Sequence, residues 1–552
     1  MVSSSTTSTL AVSIDSNDGL QQSTPTEDAK PSDAIDNGDR RHRVTSWYAH
    51  MVLIHLSEFG AEASRGLVLP TLFTYVQELG GGLSDIGLLT ALFSVGRFFS
   101  SLLFGWLCDR TSFRVLYNVA GGCAVLGNLL YILPYSPSVH SRTVLAFSRF
   151  VVGFGAGNRS VCRANIAMLT RVDQRLQYFT IFATVVFLAY ALTPGLGSVV
   201  GDTQVEIAGD LVQFNRLTAP GFLLVALNLV TIVFNNLIFD DSISREDAPE
   251  APEAAVPDST VSTSDIQTNK MKEKVLEISV DEDSTPQNSE TNAKTLKSRQ
   301  NGAEAPILSD RAVTMGMLVF IFLNFNARGI LSVFETVNVP LFLEMTNRST
   351  REEQDSVQAT QEASTFYLAV GLLGLISYAS VQILRKKVSD VGFLLFGFAM
   401  LLVGNAILLT LCADMQISDD KFHSISEDHS QQQFDIFVAA EVFVWSIGCP
   451  LTSAVVVSAF SKVLGSRPQG LLMGIFGSSA SVARMVLPFL PSLLASWPLL
   501  FLVNMVLCAI CILVLSLYLG FISNQAHKNV STSASRTYTS VQLHSDGREQ
   551  ES

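Results

Sequence analysis

Charge is scarce in this chain of 552 residues: Asp, Glu, Lys and Arg together make up 15% of it. A soluble domain carries about 25%, so the sequence cannot cover an ordinary water-facing surface. Cysteine is also sparse, and Cys108, Cys123, Cys162, Cys412, Cys449, Cys508 and Cys511 all fall in or at the ends of apolar runs. That pattern suggests no disulfide framework. The pair Cys508-Ala-Ile-Cys511 has no His or second Cys pair with it, so it reads as small apolar packing rather than a zinc or redox site. No Gly-rich phosphate loop is present, and an ATP-driven pump is therefore unsupported. The net charge of −13 lies mostly in tails and loops. No basic patch interleaves with aromatics, so no nucleic-acid partner is expected. No nucleophile–base pair and no cofactor or metal set stands out, and the chain is not expected to be an enzyme. The N-terminus is rich in Ser, Thr and Asp and lacks the apolar core of a signal peptide. The first apolar run is expected to act as its own insertion signal.

What the chain has instead is long apolar runs, with 48% hydrophobic residues overall. A hydrocarbon core of about 30 Å needs roughly 20 apolar residues per helix. Twelve such spans are predicted, near 47–73, 84–107, 114–134, 142–169, 176–200, 219–239, 311–343, 363–384, 390–413, 434–461, 469–495 and 497–520. The expected fold is an all-α membrane protein of twelve transmembrane helices in two six-helix bundles, 47–240 and 311–522. Polar segments 1–46, 241–310 and 523–552 are expected to be a disordered N-tail, linker and C-tail. Six spans, a linker and six more is the pattern of a transporter built from two repeats.

Arginine and lysine concentrate in alternate loops: Arg40, Arg41 and Arg43 before span 1, Arg110 and Arg114 after span 2, Arg171 and Arg175 after span 4. Arg385, Lys386 and Lys387 after span 8, and Lys462 and Arg467 after span 10, continue the series. The positive-inside rule then places both tails and the linker in the cytosol. Of three glycosylation sequons, only the one at Asn347 falls in a non-cytosolic loop, and Asn347 is the expected acceptor.

A charge at mid-bilayer costs about 2.5–3.5 kcal/mol, so charges within spans are functional candidates. Span 1 carries His55, Glu58, Glu62 and Arg65. At 100° per residue they share an arc of about 80°. Span 7 carries Arg328 and Glu335, nearly aligned on one face. Span 4 carries Arg149, Arg159 and Arg163; Arg163 is expected to reach the cytosolic end of its helix, whereas Arg159 is deep. Span 2 adds Arg97, and Glu441 on span 10 and Arg484 on span 11 are placed to pair across helices. A cationic lining suits an anionic substrate. Two readings of these charges remain open: a proton or anion pathway, or a self-neutralising network that only locks helices.

Two motifs carry a resemblance. Gly105-Trp-Leu-Cys-Asp109-Arg110-Thr-Ser-Phe-Arg114 resembles the loop signature between helices 2 and 3 of the major facilitator superfamily, with Ser112 in place of the family's internal Gly. The resemblance implies a conformational latch. Gly105 would allow close helix approach, Asp109 would pair with a basic group or helix N-terminus of the adjacent bundle, and Arg110 and Arg114 would hold the loop in the cytosol. Leu145-Ala-Phe-Ser-Arg149-Phe-Val-Val-Gly153-Phe-Gly155 resembles a second signature of that superfamily, in which the arginine is associated with proton coupling. In the facilitator fold, spans 1 and 7 both line the central cavity.

Within the superfamily, Arg149 to Asn158, with Arg163 after it, and Asp85 to Ser94 resemble the major facilitator domain-containing protein 8 group, the lysosomal ceroid-lipofuscinosis type 7 proteins. That implies an endolysosomal or vacuolar multi-pass membrane protein moving chloride or another small anion. The tail segment Tyr538-Thr-Ser-Val541 fits a Tyr-x-x-apolar sorting signal for adaptors. The expected pathway residues are Glu58, Glu62, Arg65, Arg149, Arg159, Arg328 and Glu335. A monomeric secondary carrier, a channel-like anion conductor and a non-transporting membrane scaffold are the three functional readings. The ordered charges in spans 1, 4 and 7 argue against the scaffold.

Overall fold

The computed structural model describes residues 31–81, 83–197, 205–207, 212–244, 247, 310–346, 353–413, 431–465 and 467–549. Every predicted span coincides with helix. The first half comprises Pro31–Gly66, Leu83–Cys108, Phe113–Ile132, Arg142–Gly155 with Asn158–Leu169, Arg175–Gly197 and Ala219–Ile238. The second comprises Asp310–Met345, Glu353–Leu384, Asp390–Leu411, Gln431–Glu441 with Cys449–Leu464, Gly470–Val486 and Trp497–Glu549. Nine helices among the described residues are long and apolar enough to cross a bilayer. Spans 1, 4 and 5 are not among them: the charges within span 1 lower its apolarity, and the break at Ala156-Gly157 divides span 4 into two short helices.

Helix pairing in the first half recurs six spans later. Span 1 packs on spans 5 and 6, span 4 on spans 2 and 3, and span 3 on span 6. Correspondingly, span 7 packs on spans 11 and 12, span 10 on spans 8 and 9, and span 9 on span 12. The halves join where span 2 meets span 11 and span 5 meets spans 8 and 10. This is the arrangement of two parallel repeats.

Large apolar side chains lie on the outside, as in Leu318, Ile383, Leu237 and Leu517. In water this would be unfavourable; against lipid it costs nothing. Within the bundle, contacts depend on small residues. A Cβ on Gly153 of the span 4 motif would run into the Phe93 carbonyl of span 2.

Two spans depart from simple helices. Span 4 breaks at Ala156-Gly157. Span 10 contains a π-helical segment, Val442–Gly448. Pro450 has no N–H to offer the Ser446 carbonyl one turn back. Ser377 of span 8 donates to that carbonyl instead, at 2.7 Å.

Helix extends into segments expected to be disordered. Span 1 begins at Pro31, and the last helix continues to Glu549. Extending an existing helix is far easier than nucleating one. The start of the linker is docked as well: Asp240 N–H donates to His50 Nε2 at 2.7 Å, and Asp247 pairs with Arg43 at 3.4 Å. Asn347 lies outside the described residues, as do the side chains of Tyr538 and Val541.

Candidate substrate pathway between the two halves

A cavity opens between the halves, lined by charges from both. The first half contributes Glu62, Arg65, Arg159 and Arg163; the second contributes Arg328, Glu335 and Arg484. Phe182, Phe187, Tyr378 and Trp445 form apolar walls. Measured to the centre of a water molecule, the cavity is about 80 Å³. One water needs about 10–15 Å³ on that measure, so the space suits an ion or small solute with a few waters.

Of the span 1 acids, Glu62 lines the cavity and Glu58 lies behind it. Arg159 Nε donates to Glu58 Oε1 at 2.5 Å, and its Nη2 lies 2.6 Å from Glu62 Oε1 as an ion-pair contact. Arg97 donates to the same Glu62 oxygen at 2.7 Å. Spans 1, 2 and 4 are thereby pinned by two carboxylates and two guanidiniums, all at most 8% exposed at the side chain. Arg65 reaches across to the other half and donates to Glu335 Oε2 at 2.9 Å. Arg484 holds the other Glu335 oxygen at 3.2 Å.

These contacts correct the expectations for Arg484 and Arg163 and locate Arg328. Arg484 bridges to Glu335, not Glu441. Arg328 and Glu335 share a face but are not partners: Arg328 Nη2 donates to the Ser453 carbonyl at 3.2 Å. Arg163 does not reach for the helix end; it is 2% exposed and lies over the Phe476 ring at 5.4 Å. The break at Ala156-Gly157 starts a new helix whose first turns sit deep in the interface.

Arg149 is set apart from the cavity lining. It donates to the Ser64 carbonyl at 3.4 Å and sits over the Phe93 ring at 5.2 Å. His55 also turns away, its Nδ1 lying 2.5 Å from the Met51 carbonyl.

The charges do not balance. Arg65, Arg97, Arg159, Arg163, Arg328 and Arg484 make six guanidiniums against three carboxylates, Glu58, Glu62 and Glu335. Arg163 Nε and Nη1 and Arg328 Nε are buried with no hydrogen-bond partner among the described residues. A buried, unpaired N–H of a charged group is costly. Two such groups, one from each half, face one cavity.

One face of the interface is shut, the one carrying the loop between spans 2 and 3. There Asp109 accepts from the backbone N–H groups of Gly470 and Leu471, both at 2.9 Å. These are the first residues of span 11, where the helix dipole is positive. Gly105 makes the close approach possible: a Cβ there would lie 2.6 Å from Gly474 Cα. The other two latch residues act within their own half. Arg110 stays over the Trp106 ring at 4.2 Å, and Arg114 donates to the Asn236 carbonyl at 2.6 Å.

Arg175 was missed as part of this seam. Its position in a basic loop suggests a solvated charge, but it is 0% exposed. It donates to the carbonyls of Ser461 at 2.5 Å and Gly465 at 3.1 Å, at the end of span 10. Asp109 and Arg175 thus hold the loop between spans 10 and 11 from its two sides. Arg97 and Arg484 were legible as charges within spans, but not as partners of Glu62 and Glu335.

Two halves with the same helix contacts, around a charged cavity closed on one face and with an apolar exterior, define a membrane transporter. Residues 54–420 match the family model of the Major Facilitator Superfamily, and the chain belongs to that superfamily. It is 24% identical to major facilitator superfamily domain-containing protein 8 of Xenopus laevis over 479 residues, 80% of this chain and 84% of that protein. It is 29% identical over 190 residues to an SPX domain-containing membrane protein of Oryza sativa subsp. indica, 34% of this chain and 26% of that one. Among solved structures, the human organic anion transporter MFSD10 superposes with a TM-score of 0.53 at 14% identity, covering 85% of this chain and 99% of that one. The proton:xylose symporter XylE gives a TM-score of 0.56 at 11% identity, covering 85% and 95%.

Proposed function

We propose that this chain is a secondary carrier of a small anion, working by alternating access with a proton in the cycle. The observation that carries the reading is the pair Arg163 and Arg328. They are buried on opposite halves, face one cavity, and hold N–H donors that no described residue satisfies. An anion seated between them would satisfy those donors and bridge the halves. Glu62, Arg65, Arg159, Glu335 and Arg484 form the wall that closes around it. Glu58 and Arg97 brace that wall from behind.

Alternating access is supported by the seam at Asp109 and Arg175, which shuts one face by contacts that can be broken. Basic loops mark that face as cytosolic. The membrane proposed is endolysosomal or vacuolar, on the resemblance of spans 2 to 4 to the lysosomal group. Tyr538 and Val541 are proposed as the adaptor signal and Asn347 as the glycan acceptor. A monomer suffices, because each chain holds a whole cavity.

The test is flux in proteoliposomes against a panel of anions: chloride, phosphate, lactate and sulfate. A carrier gives saturable flux for at least one of them. Flux that grows linearly with concentration supports a channel-like conductor instead. No flux for any small anion overturns the reading.

A further inference from the structure

One carboxylate stands apart from the network. Glu441 on span 10 is 0% exposed, and neither of its oxygens has a hydrogen-bond partner among the described residues. The groups facing it are weak acids or neutral. Tyr367 of span 8 is near, its hydroxyl also without a partner. Cys412 at the end of span 9 faces both Glu441 and Glu344 of span 7, and Cys449 lies further along span 10. Asp435, on the same helix, is exposed. The cations on neighbouring spans are engaged elsewhere: Arg484 with Glu335, Arg328 with the Ser453 carbonyl.

An ionised carboxylate in such a place would cost several kcal/mol. Taking up a proton removes most of that cost. The local backbone gives a way to reverse it. Glu441 is the residue immediately before the π-helical segment Val442–Gly448. Within that segment Trp445 lines the cavity, as do Cys449, Pro450 and Ser453 just beyond it. The segment is tied to span 8, where Ser446 Oγ donates to the Val370 carbonyl at 2.5 Å. A π segment holds one residue more than an α turn. Converting it to α slides the register by one residue, about 100° of rotation for everything before it.

We infer that Glu441 is the proton-carrying residue of the cycle, neutral in the conformation closed at Asp109 and exposed to water when the π segment rearranges. The step is a simple proton transfer. Hydronium at one face gives a proton to a Glu441 oxygen, forming an O–H bond. When the residue meets water on the other face, that bond breaks, the proton goes to water, and the carboxylate is left ionised and hydrated. This inference rests on the transporter reading and adds to it the residue that couples protons to the anion.

The test uses the full-length protein in proteoliposomes, with chloride as the probe and an internal pH dye. In the parent a chloride gradient is expected to move protons. Glu441→Gln copies the neutral acid and removes no partner, so it is expected to fold, retain chloride exchange and lose at least tenfold of the proton movement. Proton movement equal to the parent in that variant would overturn the assignment. If chloride does not move in the parent, pH-difference infrared spectroscopy still decides the point. A protonated-carboxyl band at neutral pH that disappears in Glu441→Gln supports the assignment; a parent without that band contradicts it.

Discussion

Asp109 caps a helix that begins 361 residues further along the chain, at Gly470. Span 11 has no side-chain cap of its own at that end. The latch is therefore an N-cap supplied by the other half, and it exists only while this face is closed. Opening the face returns both N–H groups and the carboxylate to water.

Asp109→Asn keeps the shape and removes the charge. The cap and dipole interactions are worth about 0.5–2 kcal/mol, so the closed population is expected to fall roughly 2- to 30-fold relative to the open one. Cys108 lies in the same seam, 7% exposed. With Cys108 as the sole cysteine, its labelling by a water-soluble maleimide is expected to speed up in Asp109→Asn. An unchanged rate would show that the carboxylate is not a latch.

Gly105→Ala acts on the same seam by volume. The added methyl would meet span 11 backbone, not a flexible side chain, because Gly470 O would lie 2.8 Å from it. Overpacking of this kind costs about 1–3 kcal/mol. Spin labels on the 2–3 and 10–11 loops are expected to report longer distances than in the parent. A superimposable distance distribution would mean that the seam tolerates the methyl and that the glycine is not required there.

The Glu58–Arg159–Glu62–Arg97 cluster is expected to behave as structure first. Arg159→Gln strips Glu58 of its partner inside the bundle, which costs about 3–5 kcal/mol. Folded yield and thermal midpoint by fluorescence size exclusion are expected to drop sharply, and Glu58→Gln added to Arg159→Gln is expected to recover most of the loss. A single variant as stable as the parent would remove this role. Arg328→Gln leaves no carboxylate stranded and is expected to keep its yield.

These predictions differ in how far the sequence supports them. Period and length placed the spans where the described residues form helix, because lipid leaves few alternatives to an apolar helix. The spacing of Glu58, Glu62 and Arg65 put them on one face of span 1, where Glu62 and Arg65 line the cavity and Glu58 lies behind it. The loop motif pointed to Asp109 and Gly105 because close approach and capping are local demands. Partnerships were not legible. Whether Arg484 meets Glu335 or Glu441 depends on helix rotations of a few tens of degrees, which no single span encodes. Arg163 was misplaced because the break at Ala156-Gly157 changes the depth of everything after it. Arg175 was hidden because a loop arginine looks the same whether it faces water or the carbonyls of Ser461, Gly465 and Ala167.

The docking of the linker onto span 1 is expected to depend on pH through Asp247. The Ser244 amide, and then Arg43, hold its carboxyl below the usual carboxylate range. A lowered value means that the docking is complete above the ordinary range and is lost only as pH falls through the lowered one. The Ser244 amide donates to Asp247 Oδ2 at 2.8 Å. Its protection against hydrogen exchange, corrected for the intrinsic pH dependence of exchange, is expected to stay unchanged from pH 7 to pH 5, and Asp247→Asn to lower it at both. Release already by pH 5 in the parent would contradict this.

The central claim is that Arg163 and Arg328 hold the anion between the halves. Equilibrium binding of the anion that shows saturable flux, measured by calorimetry on the parent, Arg163→Gln and Arg328→Gln, tests it most directly. A hydrogen bond to a charged group is worth about 1.5–3 kcal/mol, so each variant is expected to bind roughly 10- to 100-fold more weakly at unchanged folded yield. Parental affinity in both variants would contradict the account.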